Sequence, residues 1–249
     1  MSIKKVVIAA AGQGTRMLHL SKDKPKHLIE VNGRPFLAYV LDSLVLSGYT
    51  DVTLVVGYKK ELMEDFKNNY IPPKKIDFKI NFINQIEVLG PKEKIYGTAC
   101  PLMCVKDDIK EQFLFICGDN LFSVNDLTAM DIDDDFNYVA GLINEHPENY
   151  GVLLGEGEYL DRIVEKPKEF VGNLINAGLY KFTPEVFDKL PLIEKSLRGE
   201  YEITDVISLL AKDKKVKIRR IQDYWKDFGK PEDVEMLSKF LKNEDNPRG

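Results

Sequence analysis

Short apolar runs alternate with longer amphipathic stretches through the first half of the chain. The first run, residues 5–11, is continuously apolar and is followed by a glycine, which is typical of a strand buried on both faces of a parallel sheet. Residues 36–47 and 59–69 have the apolar spacing of helices. Further strands are predicted at residues 52–56, 80–83, 113–117 and 138–142. This order indicates βαβ units with right-handed crossovers, in which ligand-binding loops lie at the carboxyl ends of the strands.

The second half of the chain has a more mixed pattern. Three apolar runs predict strands with hairpin turns, and two later stretches predict amphipathic helices. These elements are the strands at residues 151–154, 159–164 and 174–182 and the helices at residues 203–212 and 231–242. Residues 243–249 are expected to form a solvated tail. We therefore predict an α/β fold over residues 1–249: a Rossmann-like, mostly parallel mixed sheet flanked by helices, with a smaller β-rich portion in the second half.

The composition places the chain among soluble globular proteins, with 44% hydrophobic and 30% charged residues in a length of 249. No run of eighteen apolar residues occurs, and the start lacks the pattern of a secretory signal, so we expect a cytoplasmic protein with no membrane partner. The odd number of cysteines argues against a disulfide framework. Cys100, Cys104 and Cys117 are expected to be small core residues.

Charge is distributed unevenly along the chain. The net charge is −5, which argues against a nucleic-acid partner. Residues 1–35 nevertheless carry seven basic and two acidic side chains, a local net of +5, while the remainder carries −10. A basic segment on an acidic protein suits a small polyanionic ligand, because local positive charge concentrates the attraction. A solvated basic surface is the alternative interpretation.

A glycine-containing loop, Gly12-Gln-Gly-Thr-Arg16, follows the first strand. Two glycines allow a tight turn with exposed backbone N–H groups, and Arg16 adds a planar set of donors, so the loop can cradle phosphate oxygens. It lacks the third glycine of the dinucleotide fingerprint and the Gly-Lys-Ser/Thr of the P-loop. An ordinary strand-to-loop turn is the alternative, but the position at the end of the first strand favours a phosphate site.

Several further short motifs follow the glycine loop along the chain. The loop and the string Lys24-Pro-Lys-His-Leu-Ile-Glu-Val-Asn-Gly-Arg-Pro35 resemble the signature of the sugar-1-phosphate nucleotidylyltransferases, also called NDP-sugar pyrophosphorylases. The resemblance extends over roughly residues 3–240. The later motifs are Tyr96-Gly-Thr-Ala99, Gly118-Asp119, Tyr150-Gly151, Glu165-Lys166-Pro167, Asn176-Ala-Gly178 and Trp225-Lys-Asp-Phe-Gly229.

The resemblance implies a reaction between a nucleoside triphosphate and a sugar-1-phosphate. An oxygen of the sugar phosphate attacks the α-phosphorus and releases pyrophosphate, and such in-line displacement depends on positioning and charge neutralisation. By the resemblance, Arg16 and Lys26 hold the triphosphate, Lys166 holds the sugar phosphate, and Asp119 and Asp227 bind Mg²⁺. Turn residues are the alternative interpretation of Asp119, Asp227 and Lys166.

The resemblance also assigns binding residues to two portions of the chain. Residues 1–125 would bind mainly the nucleotide, and residues 126–242 mainly the sugar phosphate. The nucleotide contacts would come from Ala10, Ala11, Gly12, Gly14, Thr15, Gln85, Gly97 and Thr98, and the sugar contacts from Asn120, Gly151, Glu165, Asn176 and Gly178. Asn176 to Gly178 can also be interpreted as a plain bulge in a strand. The histidines His19, His27 and His146 lack a partner pattern and receive no catalytic role.

The base and the sugar are less defined than the reaction. Gln85 is the candidate for reading the base, although residues 87–94 resemble an insertion between it and Gly97. The motifs favour a pyrimidine triphosphate, UTP or dTTP, and glucose-1-phosphate by analogy. The alternatives are GTP or CTP with another sugar-1-phosphate (mannose, N-acetylglucosamine or heptose), a non-catalytic binding module, and a glycosyltransferase. Related enzymes commonly form oligomers, so the resemblance leaves both a monomer and a homo-oligomer as alternatives. No hexapeptide repeat is found, so no acyltransferase solenoid is expected.

Overall fold

The computed structural model describes residues 2–12, 14–57 and 59–243, and a mixed sheet of nine strands runs through this part of the chain. Its order is β5-β4-β1-β6-β11-β8-β12-β10-β9, and the short pairs β2–β3 and β7–β13 lie outside it. The strands are β1 Lys5–Ala10, β2 Glu30–Val31, β3 Arg34–Pro35, β4 Asp51–Val56, β5 Lys79–Asn84, β6 Phe113–Cys117, β7 Asn120–Phe122, β8 Asn137–Ile143, β9 Gly151–Glu156, β10 Tyr159–Glu165, β11 Leu174–Phe182, β12 Val216–Arg220 and β13 Trp225–Asp227.

Helices cover both faces of this sheet. The α-helices are α1 Phe36–Leu46, α2 Lys60–Asn69, α3 Gln85–Leu89, α4 Cys100–Val105, α5 Val124–Thr128, α6 Glu185–Lys189, α7 Ile203–Lys212 and α8 Pro231–Asn243. Four 3₁₀ helices in the described residues are Thr15–Ser21, Lys26–Leu28, Pro147–Asn149 and Leu190–Leu192. None of the described helices is both long and apolar enough to cross a membrane.

Side-chain alternation along the strands divides the core into two layers. In β1, Val6 and Ile8 pack with Phe36 and Leu41 of α1 on one face, whereas Val7 packs with residues of α4 and α7 on the other. This is the two-residue period of a strand, and it explains why β1 is apolar throughout. The α/β class and the layered architecture predicted from the pattern are therefore confirmed.

The strand directions differ between the two halves of the sheet. The ladders joining β5, β4, β1 and β6 are parallel, so the carboxyl ends of these strands meet at one edge. Beyond β6, the strand β11 runs antiparallel to its neighbours β6, β8 and β9, and β10 runs antiparallel to β9 and β12. The parallel pairings therefore lie mainly in the first half, and strands of both halves form one sheet.

Several short elements were not predicted. They include the three-residue strands β7 and β13 and the helices α3 to α6, all of which are too short to give a clear period. Helix α8 ends at Asn243, so this residue belongs to the helix and not to the predicted tail. The rest of that tail, residues 244–249, lies outside the described residues.

Candidate active site

The glycine loop leaves β1 at the edge where the parallel strands end. A Cβ atom at Gly12 would meet no atom within 4 Å, so this position opens onto free space. Gly14 has a φ of 67°, and a Cβ atom there would lie 2.8 Å from the Cβ of Lys26. Glycine is therefore required at this position both for the turn and for the approach of Lys26. The Ser21 hydroxyl donates to the Gly14 carbonyl at 2.8 Å and fixes the loop.

Lys26 and Asp119 form an ion pair at this edge. The Lys26 ammonium lies 2.5 Å from Oδ2 of Asp119, and both side chains are largely buried. Asp119 follows β6, whose neighbour in the sheet is β1. Burial alone would raise the pKa of Asp119, but the Lys26 charge and its hydrogen bond outweigh burial and hold that pKa below its usual value. Asp119 is therefore ionised at neutral pH.

Asp227 is brought beside Asp119 by the short β7–β13 pair. Asp227 is opposite Asn120 in this ladder, and the backbone N–H of Phe228 donates to the Asp119 carbonyl at 2.8 Å. The Phe228 ring stacks on Phe36 with centroids 4.2 Å apart, which anchors the segment to α1. Burial, together with the charge of Asp119, raises the pKa of Asp227 to about 6. The chain thus holds two adjacent carboxylates although 107 residues separate them.

Arg16 lies on the other side of Asp227. A Cβ atom placed at Gly229 would lie 3.5 Å from Oδ1 of Asp227 and 3.6 Å from Nη2 of Arg16, so both groups converge on this glycine. The Arg16 charge partly offsets the rise in the pKa of Asp227. Arg16 and Asp227 therefore meet at Gly229, and Asp227 is in turn close enough to Asp119 and Lys26 for their charges to affect its pKa.

A cavity of about 250 Å³ opens beside this cluster. Eight predicted site residues line it: Ala11, Gly12, Arg16, Lys26, Gln85, Gly97, Thr98 and Asp119. Six further residues line it without having been predicted as site residues: Ala9, His27, Tyr96, Pro101, Cys117 and Glu200. Ala10, Gly14 and Thr15 are absent from this lining. The side chain of Ala10 is part of the core, because alternation along β1 directs Ala9 and Ala11 to the cavity instead.

The opposite wall of the cavity is built by Gly97 and Thr98. A Cβ atom at Gly97 would lie 2.2 Å from the Tyr201 carbonyl oxygen, so only glycine fits against that backbone. The Thr98 hydroxyl accepts from the N–H of Ile203 at 2.9 Å and donates to Glu202 at 3.2 Å. The Thr98 hydroxyl therefore connects this wall to the start of α7, and this structural role is separate from the nucleotide contact that the resemblance implies.

The predicted sugar residues form a second group outside the cavity lining. A Cβ atom at Gly178 would lie 2.7 Å from Nδ2 of Asn120, and Oδ1 of Asn120 accepts from the Trp225 indole at 2.9 Å. Asn176 accepts from the Gly178 N–H at 3.0 Å and donates to the Tyr180 hydroxyl at 2.7 Å. The ladder between β11 and β8 shifts its register here, so these residues do form a bulge.

Glu165 and Gly151 lie opposite each other on β10 and β9. A Cβ atom at Gly151 would lie 3.1 Å from Oε2 of Glu165, so glycine leaves room for this carboxylate. Burial raises the pKa of Glu165, while Arg198, 3.9 Å away, opposes the rise. The carboxylate lies at the end of β10, in the antiparallel part of the sheet.

Lys166 follows β10 with a φ of 44°, a left-handed conformation that is uncommon for a lysine. Its N–H donates to the Tyr150 carbonyl at 3.0 Å, and the Tyr150 ring packs edge-on against Trp225 with centroids 5.6 Å apart. Strained backbone of this kind persists where its surroundings fix it, and it is frequent at functional sites.

His27 is a cavity residue to which the sequence assigned no role. The ring is 1% exposed, and neither ring nitrogen has a hydrogen-bond partner in the described residues. Burial, with a smaller contribution from the Lys26 charge, lowers the pKa of His27 to about 3. The imidazole is therefore neutral at physiological pH. Its adjacency to Lys26 was the only signal in the sequence that could have indicated its position.

Comparison with known proteins identifies the family of the chain. The family model described as Nucleotidyl transferase matches residues 5–244. The chain belongs to the nucleotidyl transferase family. This confirms the enzyme class indicated by the sequence motifs, and the match covers both halves of the sheet.

Relatives of this nucleotidyltransferase differ in length. It is 35% identical over 252 residues to the UTP–glucose-1-phosphate uridylyltransferase AglF of Haloferax volcanii, covering 96% of this chain and 97% of the relative. It is 37% identical over 243 residues to the bifunctional protein GlmU of Methanococcus aeolicus, covering 95% of this chain but 54% of the relative. The chain thus spans about half the length of the bifunctional relatives.

Solved structures share the fold. A UDP-glucose pyrophosphorylase complexed with UDP-glucose superposes with a TM-score of 0.82 at 23% identity, covering 97% of this chain and 99% of that one. A UDP-glucose pyrophosphorylase from Acinetobacter baumannii gives a TM-score of 0.78 at 22% identity, with 98% and 95% covered. The arrangement of the mixed sheet and its helices is therefore common to these proteins.

Proposed function

We propose that the chain transfers a nucleotidyl group from UTP or dTTP to a sugar-1-phosphate, with glucose-1-phosphate as the first candidate. The products would be an NDP-sugar and pyrophosphate. The observation that carries this proposal is the meeting of Lys26, Asp119 and Asp227 beside the glycine loop. Cations, backbone donors and carboxylates in one place are what in-line displacement at phosphorus needs.

The charged side chains would act on the two substrates separately. Arg16 and Lys26 would neutralise the triphosphate and the charge that develops on the departing pyrophosphate. Lys166 would hold the sugar phosphate so that its oxygen faces the α-phosphorus. The second pKa of such a phosphate is about 6, so the attacking oxygen is already ionised at neutral pH and no protein base is needed.

Asp119 and Asp227 are the residues that would hold Mg²⁺. They fit a hard cation because both are carboxylates and lie close together, and burial followed by the charge of Asp119 raises the pKa of Asp227, so a bound cation would favour its ionised form. Mg²⁺ is usually bound by one or two carboxylates and keeps several waters, so water and substrate phosphates would complete the coordination. Bound there, the ion would supply charge stabilisation to the phosphates.

The remaining predicted contacts belong to the same proposal. Gly12, Gly14, Thr15, Ala10 and Ala11 would place backbone groups around the nucleotide. Asn120, Gly151, Glu165, Asn176 and Gly178 would contact the sugar hydroxyls, since amide and carboxylate groups suit hydroxyl partners.

The relatives support the substrate pair to different degrees. The near full-length relative from Haloferax volcanii is named for UTP and glucose-1-phosphate. A relative from Sulfurisphaera tokodaii, 33% identical and covered over 55% of its length, is named a sugar-1-phosphate nucleotidylyltransferase/acetyltransferase without a specified sugar. Other sugar phosphates therefore belong in the test.

Pyrophosphate release with Mg²⁺ tests the proposal. Five nucleotides (UTP, dTTP, CTP, GTP and ATP) are each paired with glucose-, mannose- and N-acetylglucosamine-1-phosphate, and the Asp119→Asn variant serves as the inactive control. We expect the fastest release with UTP or dTTP and glucose-1-phosphate. Release with purine nucleotides alone would overturn the choice of base, and nucleotide binding without release from any pair would favour a non-catalytic binding module.

A further inference from the structure

The loop that precedes α7 pairs with the far wall of the nucleotide cavity. The Tyr201 N–H donates to the Tyr96 carbonyl at 2.8 Å, and the Ala99 N–H donates to the Tyr201 carbonyl at 2.9 Å. Glu200, the residue before this pair of bonds, lines the cavity itself. Backbone hydrogen bonds therefore hold residues 200–202 against the wall.

Glu202 in this loop is a buried carboxylate that accepts hydrogen bonds on two sides. The residue is 3% exposed. Its Oε2 atom accepts from the Thr98 hydroxyl at 3.2 Å, on the side of the nucleotide cavity. Its Oε1 atom accepts from the Ser196 hydroxyl at 3.0 Å and from Nη2 and Nε of Arg198 at 2.7 and 3.2 Å. The two oxygens of one carboxylate therefore hold two different parts of the chain.

Arg198 extends this network to the predicted sugar residues. Its Nη2 atom lies 3.9 Å from Oε1 of Glu165 and 3.7 Å from Oε2 of Glu200. Both distances are longer than the 2.7 Å to Glu202, and two guanidinium nitrogens donate to that one carboxylate. Charge-assisted bonds of this kind fix the plane of a guanidinium. Glu202 therefore determines where the Arg198 charge lies in relation to Glu165.

We propose that Glu202 is a positioning residue that aligns both substrate sites at once. One carboxylate oxygen fixes Thr98 in the nucleotide wall, and the other fixes Arg198, which faces Glu165. The inference rests on the proposed function, which places the nucleotide against Thr98 and the sugar hydroxyls at Glu165. Both oxygens of a carboxylate accept, whereas a glutamine offers one acceptor and one NH₂ donor. Either orientation of a glutamine amide at position 202 would leave one side without its acceptor.

Variants that break one side or both sides of this network test the role. Thr98→Val removes the hydroxyl and should raise mainly the KM for the nucleotide. Arg198→Met removes the guanidinium and should raise mainly the KM for the sugar-1-phosphate. Glu202→Gln should raise both constants by roughly 3- to 10-fold, the range for losing one hydrogen bond, with kcat within about 3-fold of the wild type. The matched control is Glu194→Gln, exposed in the same loop, which should change neither constant.

A double variant separates positioning from a general loss of stability. Thr98→Val combined with Glu202→Gln should have the nucleotide KM of Thr98→Val alone, because the two changes remove the same contact. Independent effects would multiply instead, and they would contradict the proposal. Glu202→Asp keeps both acceptors but withdraws them by one methylene. It should likewise raise both constants, and it replaces Glu202→Gln if that protein does not fold.

The kinetics use the nucleotide and sugar phosphate that the wild type uses fastest, at a temperature where circular dichroism shows each variant to be folded. A folded Glu202→Gln protein in which neither KM rises, or only one, would overturn the role of Glu202 and leave the proposed function standing. A wild-type protein that releases pyrophosphate from no pair of substrates would overturn the proposed function itself, and this inference with it.

Discussion

Two lysine–aspartate ion pairs, each with a largely buried lysine side chain, differ in how completely their groups are hydrogen-bonded. Lys181, on β11, is fully buried, and its ammonium donates to the carbonyls of Asp134 at 2.5 Å and Phe136 at 2.7 Å and to the Asp134 carboxylate at 3.0 Å. Lys26 has one acceptor in the described residues, the carboxylate of Asp119. The first pair uses all three ammonium hydrogens, whereas the second leaves two available.

The two carboxylates, Asp134 and Asp119, also differ in the groups that surround them. Asp134 also accepts from the Tyr138 hydroxyl at 2.7 Å and from the Phe136 N–H at 3.1 Å, so its position is fixed by several groups. Asp119 lies instead beside a second carboxylate and an open cavity. A saturated buried pair holds strands together, while an undersatisfied pair at the ends of parallel strands keeps donors and acceptors for a ligand. The same substitution should therefore affect mainly turnover at Lys26 and mainly the stability of the fold at Lys181.

The largest effect is expected from Lys26→Met on turnover. Losing a preorganised charge donor should lower kcat by roughly 10²- to 10³-fold, because the triphosphate loses its buried cation. Pyrophosphate release measures the loss, at a temperature where the variant is folded, because Asp119 also loses its ion-pair partner. Lys24→Met, two residues earlier and not in the cavity lining, is the matched control. A Lys26→Met enzyme within a factor of three of the wild type would remove Lys26 from the mechanism.

Lys181→Met should instead affect folding. The substitution removes the Lys181 donor from the Phe136 carbonyl and one of several donors from the carbonyl and carboxylate of Asp134. An unsatisfied buried group costs about 1–3 kcal/mol. We expect a loss of about 2–4 kcal/mol in the free energy of unfolding, measured by urea denaturation, with kcat nearly unchanged at a temperature where the variant is folded. Wild-type stability in this variant would show that the carbonyls find other donors.

A smaller effect is expected from Lys166→Ala. Because this residue would hold only the sugar phosphate, its removal should raise the KM for sugar-1-phosphate by about 10-fold, with a smaller change in the KM for the nucleotide. Varying each substrate at saturation of the other separates the two constants. The reverse ranking would mean that the two phosphate sites are exchanged.

The smallest effect is on the pH dependence of stability. Asp227 has a raised pKa of about 6 against a usual value of 3.8, so the folded protein holds this proton more tightly than the unfolded chain does. Its contribution to stability is therefore lost as pH rises from about 4 through 6. In EDTA, Asp227→Asn should be more stable than the wild type by about 1 kcal/mol at pH 8, after allowance for partial solvent exposure, and equal to it near pH 4. Equal stability of the wild type and Asp227→Asn at pH 8 would show that neighbouring groups already compensate the charge of Asp227.

The long strands and helices could be predicted from the sequence because buried apolar residues recur along them at regular spacing. The run in β6 and the helix α7 were found in this way, since each buries a continuous face that periodicity reveals. The strands β7 and β13 were not predicted because three residues are too few to show a period, and their pairing joins segments about 100 residues apart. That pairing is what places Asp227 beside Asp119, so the carboxylate pair could be expected only from the family resemblance.

The positions of individual site residues were also hard to predict, because they depend on contacts between segments that are distant in the sequence. Ala9 lines the cavity and Ala10 does not, because alternate side chains of β1 lie on opposite faces, and the sequence does not show which face borders the cavity. Glu200 lines the cavity because its loop packs on Gly97, a contact between distant segments. The position of the insertion at residues 87–94 could not be read from the sequence, since only the folded chain shows that Lys92 and Gln85 line one small cavity.

The most direct test of the central claim follows the phosphorus atoms themselves. Phosphorus-31 NMR of a mixture of UTP, glucose-1-phosphate and Mg²⁺ shows whether the α-phosphorus becomes bonded to the sugar phosphate. With the wild type, the account predicts the paired diphosphate resonances of UDP-glucose and an equal amount of pyrophosphate, and neither with Asp119→Asn at equal folded concentration. Product formation at the wild-type rate by Asp119→Asn would contradict the assignment of catalysis to the Lys26–Asp119–Asp227 cluster.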